Sequence, residues 1–295
     1  MKLWLNGFCL AAMLAGTPTL LLAQWPAYPT ARVPKTADAK PDLNAPAPRT
    51  TDGKVDFSGI WQNQRGIATT LLNASGTGAP NPPGTSGTPA QPAQNPPANT
   101  GPNLFRDVGT GVQGGLPIQP WAAELVKKRQ ADNSKDNPDA YCLPMGFMQF
   151  HNHPQPRKII QTPELVVIIY EANFGLRQIF MDGRTLPGPD AEPWWYGYSV
   201  AKWDGDTLVV ESRGFIEDGW LDIIGNPLTE AAKVTERFRR PNFGNLEIEI
   251  TVDDPKAYTK PWTVTVKQRL VVNNEMIEFI CIDKDAAHYV GGPSK

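Results

Sequence analysis

The feature that most constrains this chain is a pair of strand-like segments joined at Asp204-Gly205, within Tyr196–Phe215. Aromatic and β-branched residues predominate on both sides of the junction, which is typical of β-strands. Asp-Gly favours a type I′ turn, because both central residues of that turn need a positive φ. The sequence therefore predicts an antiparallel hairpin with the cross-strand pairs Lys202–Thr207, Val200–Val209, Tyr198–Glu211 and Tyr196–Arg213.

The hairpin has two different faces. One is mainly apolar, and the other carries two phenols, a carboxylate and a guanidinium, from Tyr196, Tyr198, Glu211 and Arg213. Such a mixed face is either a solvated surface with ordinary cross-strand pairs or the polar wall of a cavity. In a cavity it would bind an acidic or phenolic ligand, and Tyr198 with Glu211 would be able to transfer protons.

From Lys158 onward, short segments with a period of two predict strands almost to the end of the chain. The clearest is 246–253, and the last is Glu275–Cys281. A sheet of eight or nine strands leaves edges that must be paired or covered. We therefore predict a mainly β fold, an antiparallel meander that closes into a barrel or forms a strongly curved sheet. One short helix precedes it at Pro120–Arg129, with proline in its first turn and basic residues in its last.

Composition divides the rest of the chain. An apolar run after a lysine in residues 1–23 predicts a signal peptide, with a retained membrane anchor as the alternative. A Pro/Gly-rich stretch has too few apolar residues to offset the entropy cost of ordering, so it is predicted to be disordered. The predicted order is a Pro/Ala-rich leader at 24–55, a first strand at 56–66, a disordered insert at 67–103, a helix-containing linker at 104–139 and an antiparallel β domain at 140–290 that packs against 56–66.

The charge and the cysteine content of the chain indicate its cellular compartment and limit its possible partners. The chain has 28 basic and 30 acidic residues, a formal net charge of −2 and no basic block, which argues against a nucleic-acid partner. After removal of residues 1–23, no apolar stretch approaches the length of a membrane span. Cys142 and Cys281 then remain, and they predict one disulfide in an oxidising compartment, with two free buried thiols as the alternative. We expect a bacterial periplasmic or secreted protein, with its oligomeric state left open.

Several phrases carry resemblances to known proteins. Gly59-Ile60-Trp61 ahead of a β-meander resembles the Gly-x-Trp signature of lipocalins and the wider calycin group, which implies a barrel that holds one small ligand. The mixed face of the hairpin is similar in residue types to phenolic acid decarboxylases, which are calycin-like. Longer phrases resemble a group of exported bacterial proteins that has no assigned activity: Asp56–Trp61, His153–Thr162, Gly197–Glu211, Val234–Arg240 and Asn245–Val264.

The three histidines, His151, His153 and His288, form a second candidate site. In an extended segment, His151 and His153 point to the same side, which suits two ligands of a divalent transition metal ion. The predicted disulfide would bring the neighbourhood of His151 towards that of His288, with Asp283 or Asp285 as a fourth ligand. Structural histidines or an exposed loop are the alternative interpretation.

Together these patterns favour an exported protein that binds a small aromatic or amphipathic ligand inside the sheet. A metal-assisted or acid–base enzyme acting on a small molecule is the alternative, and an envelope scaffold or interaction protein is a third. A cavity lined by Tyr198 and Glu211 would favour binding, and converged histidines would favour the enzyme. A filled barrel would favour the scaffold.

Overall fold

The computed structural model describes residues 28–64, 103–188, 190–217 and 219–281. The predicted signal peptide, residues 67–102 of the predicted insert and His288 lie outside these ranges. Within them, nine strands form one closed barrel, and the α-helices are α1, Pro120–Ala131, and α2, Phe147–Asn152. The strands are β1 Gly59–Asn63, β2 Arg157–Gln161, β3 Leu165–Tyr170, β4 Leu176–Phe180, β5 Tyr198–Asp204, β6 Thr207–Arg213, β7 Lys233–Asn242, β8 Asn245–Asp253 and β9 Trp262–Val271.

The order of the strands around the barrel is their order in the chain, and β1 closes the ring by pairing with β9. Neighbours are antiparallel except β4 and β5, which pair in parallel. A ring with an odd number of strands cannot be antiparallel throughout, so one parallel pair is a geometric requirement. A parallel pair needs a long connection, which residues 181–197 supply. The predicted mainly β barrel is confirmed with this one departure, and it is compatible with a calycin-like fold.

Alternation of apolar and polar residues decides which side chains enter the barrel. In β8 and β9 every second side chain is buried, as the sequence pattern predicts. Each buried aliphatic side chain stabilises the fold by about 1.5–3 kcal/mol relative to exposure. The buried members of these two strands are Leu246, Ile248, Ile250, Val252, Trp262, Val264, Val266, Gln268 and Leu270.

The Gly-x-Trp motif has a packing role at the start of β1. Gly59 has φ of 144°, a backbone conformation that favours glycine, and a Cβ there would lie 2.6 Å from Leu270 Cδ1. Trp61 is fully buried, and its Nε1 donates to the Phe57 carbonyl at 2.9 Å. The Arg240 guanidinium of β7 lies 4.8 Å from the centroid of the indole. The motif thus ties β1 to β7 and β9.

The β5–β6 hairpin is confirmed, but its turn lies one residue later than predicted. Asp204 pairs with Thr207, so the loop residues are Gly205 and Asp206. Gly205 alone of the two has a positive φ, of 60°, which is the type II′ pattern with glycine first. The cross-strand pairs shift by two residues, which leaves each side chain on its predicted face. The observed pairs include Tyr198–Arg213, Val200–Glu211 and Lys202–Val209.

The predicted last strand, Glu275–Cys281, is wrong. The preceding strand, β9, continues to Val271 and pairs with β1 itself, so the sheet edge that a further strand would fill is already closed. The segment instead crosses the outside of the barrel. Glu275 accepts from Lys158 Nζ at 2.9 Å, and the Ile277 amide donates to a carboxylate oxygen of Glu171 at 3.1 Å.

The predicted disulfide between Cys142 and Cys281 is confirmed, with 5.4 Å between the Cα atoms. It joins the segment ahead of α2 to the segment that follows β9. A structural disulfide is typical of proteins that fold in an oxidising compartment. Separately, none of the helices in the described ranges is long and apolar enough to cross a membrane.

Candidate functional site

Helix α2 takes up the interior position in which a ligand was expected. All six of its residues are buried. It begins after Gly146, where a Cβ would overlap the Trp220 carbonyl oxygen, so only glycine lets the chain enter here. It ends before Pro154, because the residue ahead of a proline is biased away from helical geometry. Inside the barrel, Phe150 stacks on Tyr170 of β3 with 4.5 Å between ring centroids.

A buried charged network joins α2 to four strands. Glu236 of β7 is within hydrogen-bond distance of His151 Nε2, at 2.9 Å, and accepts from Arg177 Nη1 at 3.0 Å. Arg177 Nη2 donates to the second oxygen of the same carboxylate. Arg177 Nη2 also donates to the hydroxyls of Ser199 and Ser212, at 3.1 Å each, and these hydroxyls lie 2.8 Å apart. All five side chains are buried.

In this network Glu236 is ionised, Arg177 is positively charged and His151 is neutral. Burial raises the pKa of Glu236, but the charge of Arg177 and the hydrogen bonds from His151 and Arg177 outweigh burial and lower the pKa to about 2. Burial, together with the charges of Arg177 and Arg157, lowers the pKa of His151 by more than Glu236 raises it. Because an ionised carboxylate only accepts, His151 carries its proton on Nε2. Its 3.4 Å contact with Arg177 Nη1 joins two donors and is not a hydrogen bond.

A second arginine, Arg157 of β2, binds the carboxyl end of α2. It donates to the main-chain carbonyl of His151, to that of His153 at 2.8 Å and to that of Gln155 at 3.0 Å. Gln268 of β9 donates to the His151 carbonyl as well, at 3.2 Å. Burial lowers the pKa of Arg157 to about 10, so it stays charged at neutral pH. A cation at this end complements the helix dipole.

Two buried polar atoms beside the network, His151 Nδ1 and the Tyr170 hydroxyl, have no hydrogen-bond partner within the described ranges. The two rings lie 6.1 Å apart by their centroids, and burial raises the pKa of Tyr170 to about 12. A carboxylate-bound imidazole with a free nitrogen has the composition of an acid–base pair. However, His151, Tyr170 and Glu236 are exposed by only 0 %, 2 % and 0 %. We therefore assign the network the role of holding α2 in one position.

The expected extended segment at His151–His153 is wrong, because α2 continues to Asn152. His153 instead lies edge-on to Phe105 with 4.9 Å between ring centroids, while His151 points towards Glu236. Burial and the nearby Arg157 lower the pKa of His153 to about 3. The two imidazoles therefore lie in different surroundings.

The other predicted metal ligands, His288, Asp283 and Asp285, lie outside the described residues. In the part of the chain that the structure does describe, no group of three or more His, Cys, Asp or Glu side chains is placed to hold a metal ion. The transition-metal site therefore stays a prediction from the sequence.

The predicted ligand-binding residues of the hairpin lie mostly on the outside of the barrel. Tyr198, Glu211 and Arg213 alternate with buried residues along β5 and β6. The Glu211 side chain is 47 % exposed and pairs with Lys233 at 3.4 Å. Tyr196 precedes β5 and packs against aromatic side chains of α2 and β3, where burial raises its pKa. The four residues therefore do not line one cavity wall.

Aromatic side chains stack on the outer surface around Tyr198. Phe180 of β4 stacks on it at 5.2 Å, and Trp194 meets it edge-on at 5.1 Å, between ring centroids. The Arg184 guanidinium lies 3.8 Å from the Phe180 centroid and donates to the Tyr198 hydroxyl at 3.0 Å. Arg213 is the cross-strand partner of Tyr198. We call these five residues the outer aromatic face.

A groove of about 300 Å³ lies between α1 and the segment that follows it. Its walls combine apolar and charged side chains, and Tyr141 and Leu143 are 60 % and 44 % exposed. We call it the α1 groove. Its apolar lining residues are Leu125, Pro138, Tyr141, Leu143 and Trp220, and its charged ones are Lys128, Arg129, Asp132 and Asp136.

The buried network of Arg177, Ser199, Ser212 and Glu236 was not predicted from the sequence. A signal was present in β7, where Glu236 takes a place in an alternation whose neighbouring inward members are apolar. A charged residue at an inward position must find partners inside the protein, so it marks a buried polar cluster.

Comparison of the chain with protein-family models, curated proteins and solved structures found no match. A functional assignment therefore depends on the geometry of the network, the outer aromatic face and the α1 groove.

Loss of the Glu236 charge is expected to destabilise the protein strongly. Glu236→Gln leaves the buried Arg177 guanidinium without a counter-charge, which lowers the free energy of unfolding by about 3–5 kcal/mol in urea titrations. The double variant Arg177→Met/Glu236→Leu is expected to recover much of this loss.

The control is the exposed ion pair of Arg49 and Asp206, whose two hydrogen bonds measure 2.8 and 2.7 Å. Asp206→Asn should lower the free energy of unfolding by less than about 1 kcal/mol. Equal losses in Glu236→Gln and Asp206→Asn would contradict the role of the network.

Stability is expected to fall as the pH decreases from about 6.5, the ordinary pKa of histidine. His151 and His153 have lowered pKa values when folded, so the unfolded chain binds protons that the folded chain does not. Each contributes a slope of up to about 1.4 kcal/mol per pH unit between 6.5 and its folded pKa. Below pH 4.5, Glu236 adds a further loss in the same direction. Urea titrations from pH 7.5 to 4.5 measure the slope.

His153→Gln is the matched variant for this pH dependence. It removes one of the two titrating histidines, so the slope of the unfolding free energy between pH 6 and 5 should fall by up to about 1.4 kcal/mol per pH unit. An unchanged slope would show that His153 takes up a proton in the folded protein as readily as in the unfolded chain.

Proposed function

We propose that this protein is exported and binds a small aromatic or amphipathic molecule, non-covalently, in the α1 groove. The observation that supports this most is a concave site with exposed apolar walls on a barrel whose interior α2 occupies. Small-molecule sites are typically concave, begin at about 300 Å³ and combine apolar walls with a few polar groups. The ligand is thus proposed to bind beside the barrel and not inside it.

The floor of the groove is held in place by contacts that are present in the ligand-free protein. Arg129 lies 4.3 Å from the centroid of the buried Trp220 indole and donates to the Gly225 carbonyl at 2.7 Å. A Cβ on Gly225 would lie 2.5 Å from Arg129 Cδ, so glycine permits this contact. The Trp220 carbonyl accepts from Gln149 of α2 at 2.9 Å. A fixed floor lowers the entropy cost of ligand binding.

One wall of the groove is tied covalently. Tyr141 and Leu143 stand on both sides of Cys142, whose disulfide to Cys281 restrains this wall. Such a bond persists in an oxidising compartment, which supports export. Charged side chains of both signs at the rim, Lys128 and Asp136 among them, favour a ligand that has a polar end.

The proposal predicts saturable binding of the aromatic amphiphile 8-anilinonaphthalene-1-sulfonate (ANS) at one site of the folded protein, measured by its fluorescence. Leu143→Ser removes an apolar wall and is expected to weaken this binding at least about tenfold, since truncating a well-packed contact costs more than about 1.4 kcal/mol. The matched control is Ile160→Ser, because Ile160 of β2 is 43 % exposed, close to the 44 % of Leu143.

The two variants separate the groove from general apolar adsorption. Binding that weakens in Leu143→Ser and not in Ile160→Ser supports the α1 groove. Equal effects of the two substitutions, or a wild-type protein that does not bind ANS, would overturn the proposal. Near-ultraviolet circular dichroism confirms in each case that the variant keeps its tertiary packing, because loosely packed states also bind ANS and retain their far-ultraviolet signal.

A further inference from the structure

We propose that the outer aromatic face binds a glycan that carries carboxylate groups. The site lies on the outer surface of β4, β5 and β6 and on the connection between β4 and β5, apart from the residues of the α1 groove. It includes Tyr198 and Arg213, for which the sequence predicted ligand binding.

The aromatic side chains form a continuous run. Arg184 covers Phe180, Phe180 stacks on Tyr198, and Trp194 stands at the end of the run with 40 % of its surface exposed. Phe180 and Tyr198 are partly exposed, so with Trp194 they form a contiguous apolar patch, and contiguous patches mark interaction sites where single exposed residues do not. Sugar rings present apolar C–H faces, which pack on aromatic rings, and hydroxyls, which need polar partners beside those rings.

The backbone and the polar side chains of the face are held in place. The Trp194 amide donates to the Gly214 carbonyl at 2.8 Å, and the Ile216 amide donates to the Trp194 carbonyl at 3.1 Å. Arg184 Nε and Nη2 both donate to the Asp182 carboxylate, at 2.9 and 2.6 Å. A platform that is ordered in the free protein loses little conformational entropy when a ligand binds.

Charge on the face favours an acidic ligand. The carboxylates of Asp182 and Glu211 are paired with Arg184 and Lys233. Arg213 is exposed, lies directly across from Tyr198, and has no acidic partner within the described ranges. An exposed guanidinium beside an aromatic platform presents planar donors to a carboxylate. The same platform thus offers stacking for the ring of a sugar acid and a charged hydrogen bond for its carboxylate.

The shape of the surface favours an extended ligand over an enclosed one. The run from Phe180 to Trp194 lies on the convex outside of a barrel, whereas small molecules are bound mostly in concave sites. A chain of sugars can contact Trp194 and Tyr198 with successive rings. An acidic membrane surface would use the same charges and the same indole, and the experiment distinguishes it from a glycan.

The test uses isothermal titration of the full mature chain with oligogalacturonate, a carboxylated sugar chain, and with cello-oligosaccharide, a neutral one. We expect oligogalacturonate to bind more tightly than the neutral chain. Trp194→Ala should weaken both at least tenfold, and Trp194→Phe should retain most of the binding because a ring remains. Arg213→Gln should weaken oligogalacturonate binding at least fivefold and leave binding of the neutral chain unchanged.

Two control variants test whether glycan binding depends on the outer aromatic face. Trp121→Ala removes a tryptophan of α1 that is 49 % exposed, and it should change neither titration. Leu143→Ser should also leave glycan binding unchanged, so failure of the α1 groove and failure of this site are distinguishable. The proposal is overturned if oligogalacturonate does not bind, if Trp121→Ala weakens binding as much as Trp194→Ala, or if the protein binds only phosphatidylglycerol vesicles.

Discussion

The hydrogen-bonded ion pair of Arg177 and Glu236 is the interaction on which the interior of the barrel depends. Two unit charges inside a protein are costly unless their hydrogen-bonding capacity is filled. Here the carboxylate accepts hydrogen bonds from the guanidinium and from His151. The guanidinium also donates to the hydroxyls of Ser199 and Ser212. Because this arrangement satisfies the charges only when α2 is in place, it specifies the position of the helix as well as that of the strands.

Because a helix occupies the interior of the barrel, both of the binding sites that we propose lie on its outer surface. The two surfaces with the required chemistry differ in shape, since one is the concave α1 groove beside a disulfide and the other is the convex outer aromatic face. Both are supported by contacts that exist in the free protein, such as Arg129 on Trp220 and Arg184 on Phe180. The closed barrel is the common support of both surfaces.

The sequence predicted the strands better than it predicted what lies between them. Alternation along 246–253 and the glycine-containing turn after β5 are local signals, and both gave the correct element. The misplaced turn and the false strand at Glu275–Cys281 have different causes. The first is a choice between two turn types with glycine in different places, and the second depends on pairing of β9 with the distant β1. The buried network was not predictable from spacing, because it joins residues of five separate elements that only barrel closure brings together.

The most direct test of this account is hydrogen–deuterium exchange of the α2 amides in the free protein and in the presence of saturating ANS. If α2 is part of the barrel interior and ligands bind outside, its amides should exchange as slowly as those of β7 and β8, and saturating ANS should slow all three elements by the same factor. Fast exchange in the free protein, or a change in α2 on ANS binding that β7 and β8 do not share, would show that the helix leaves the barrel. The interior would then be the ligand site.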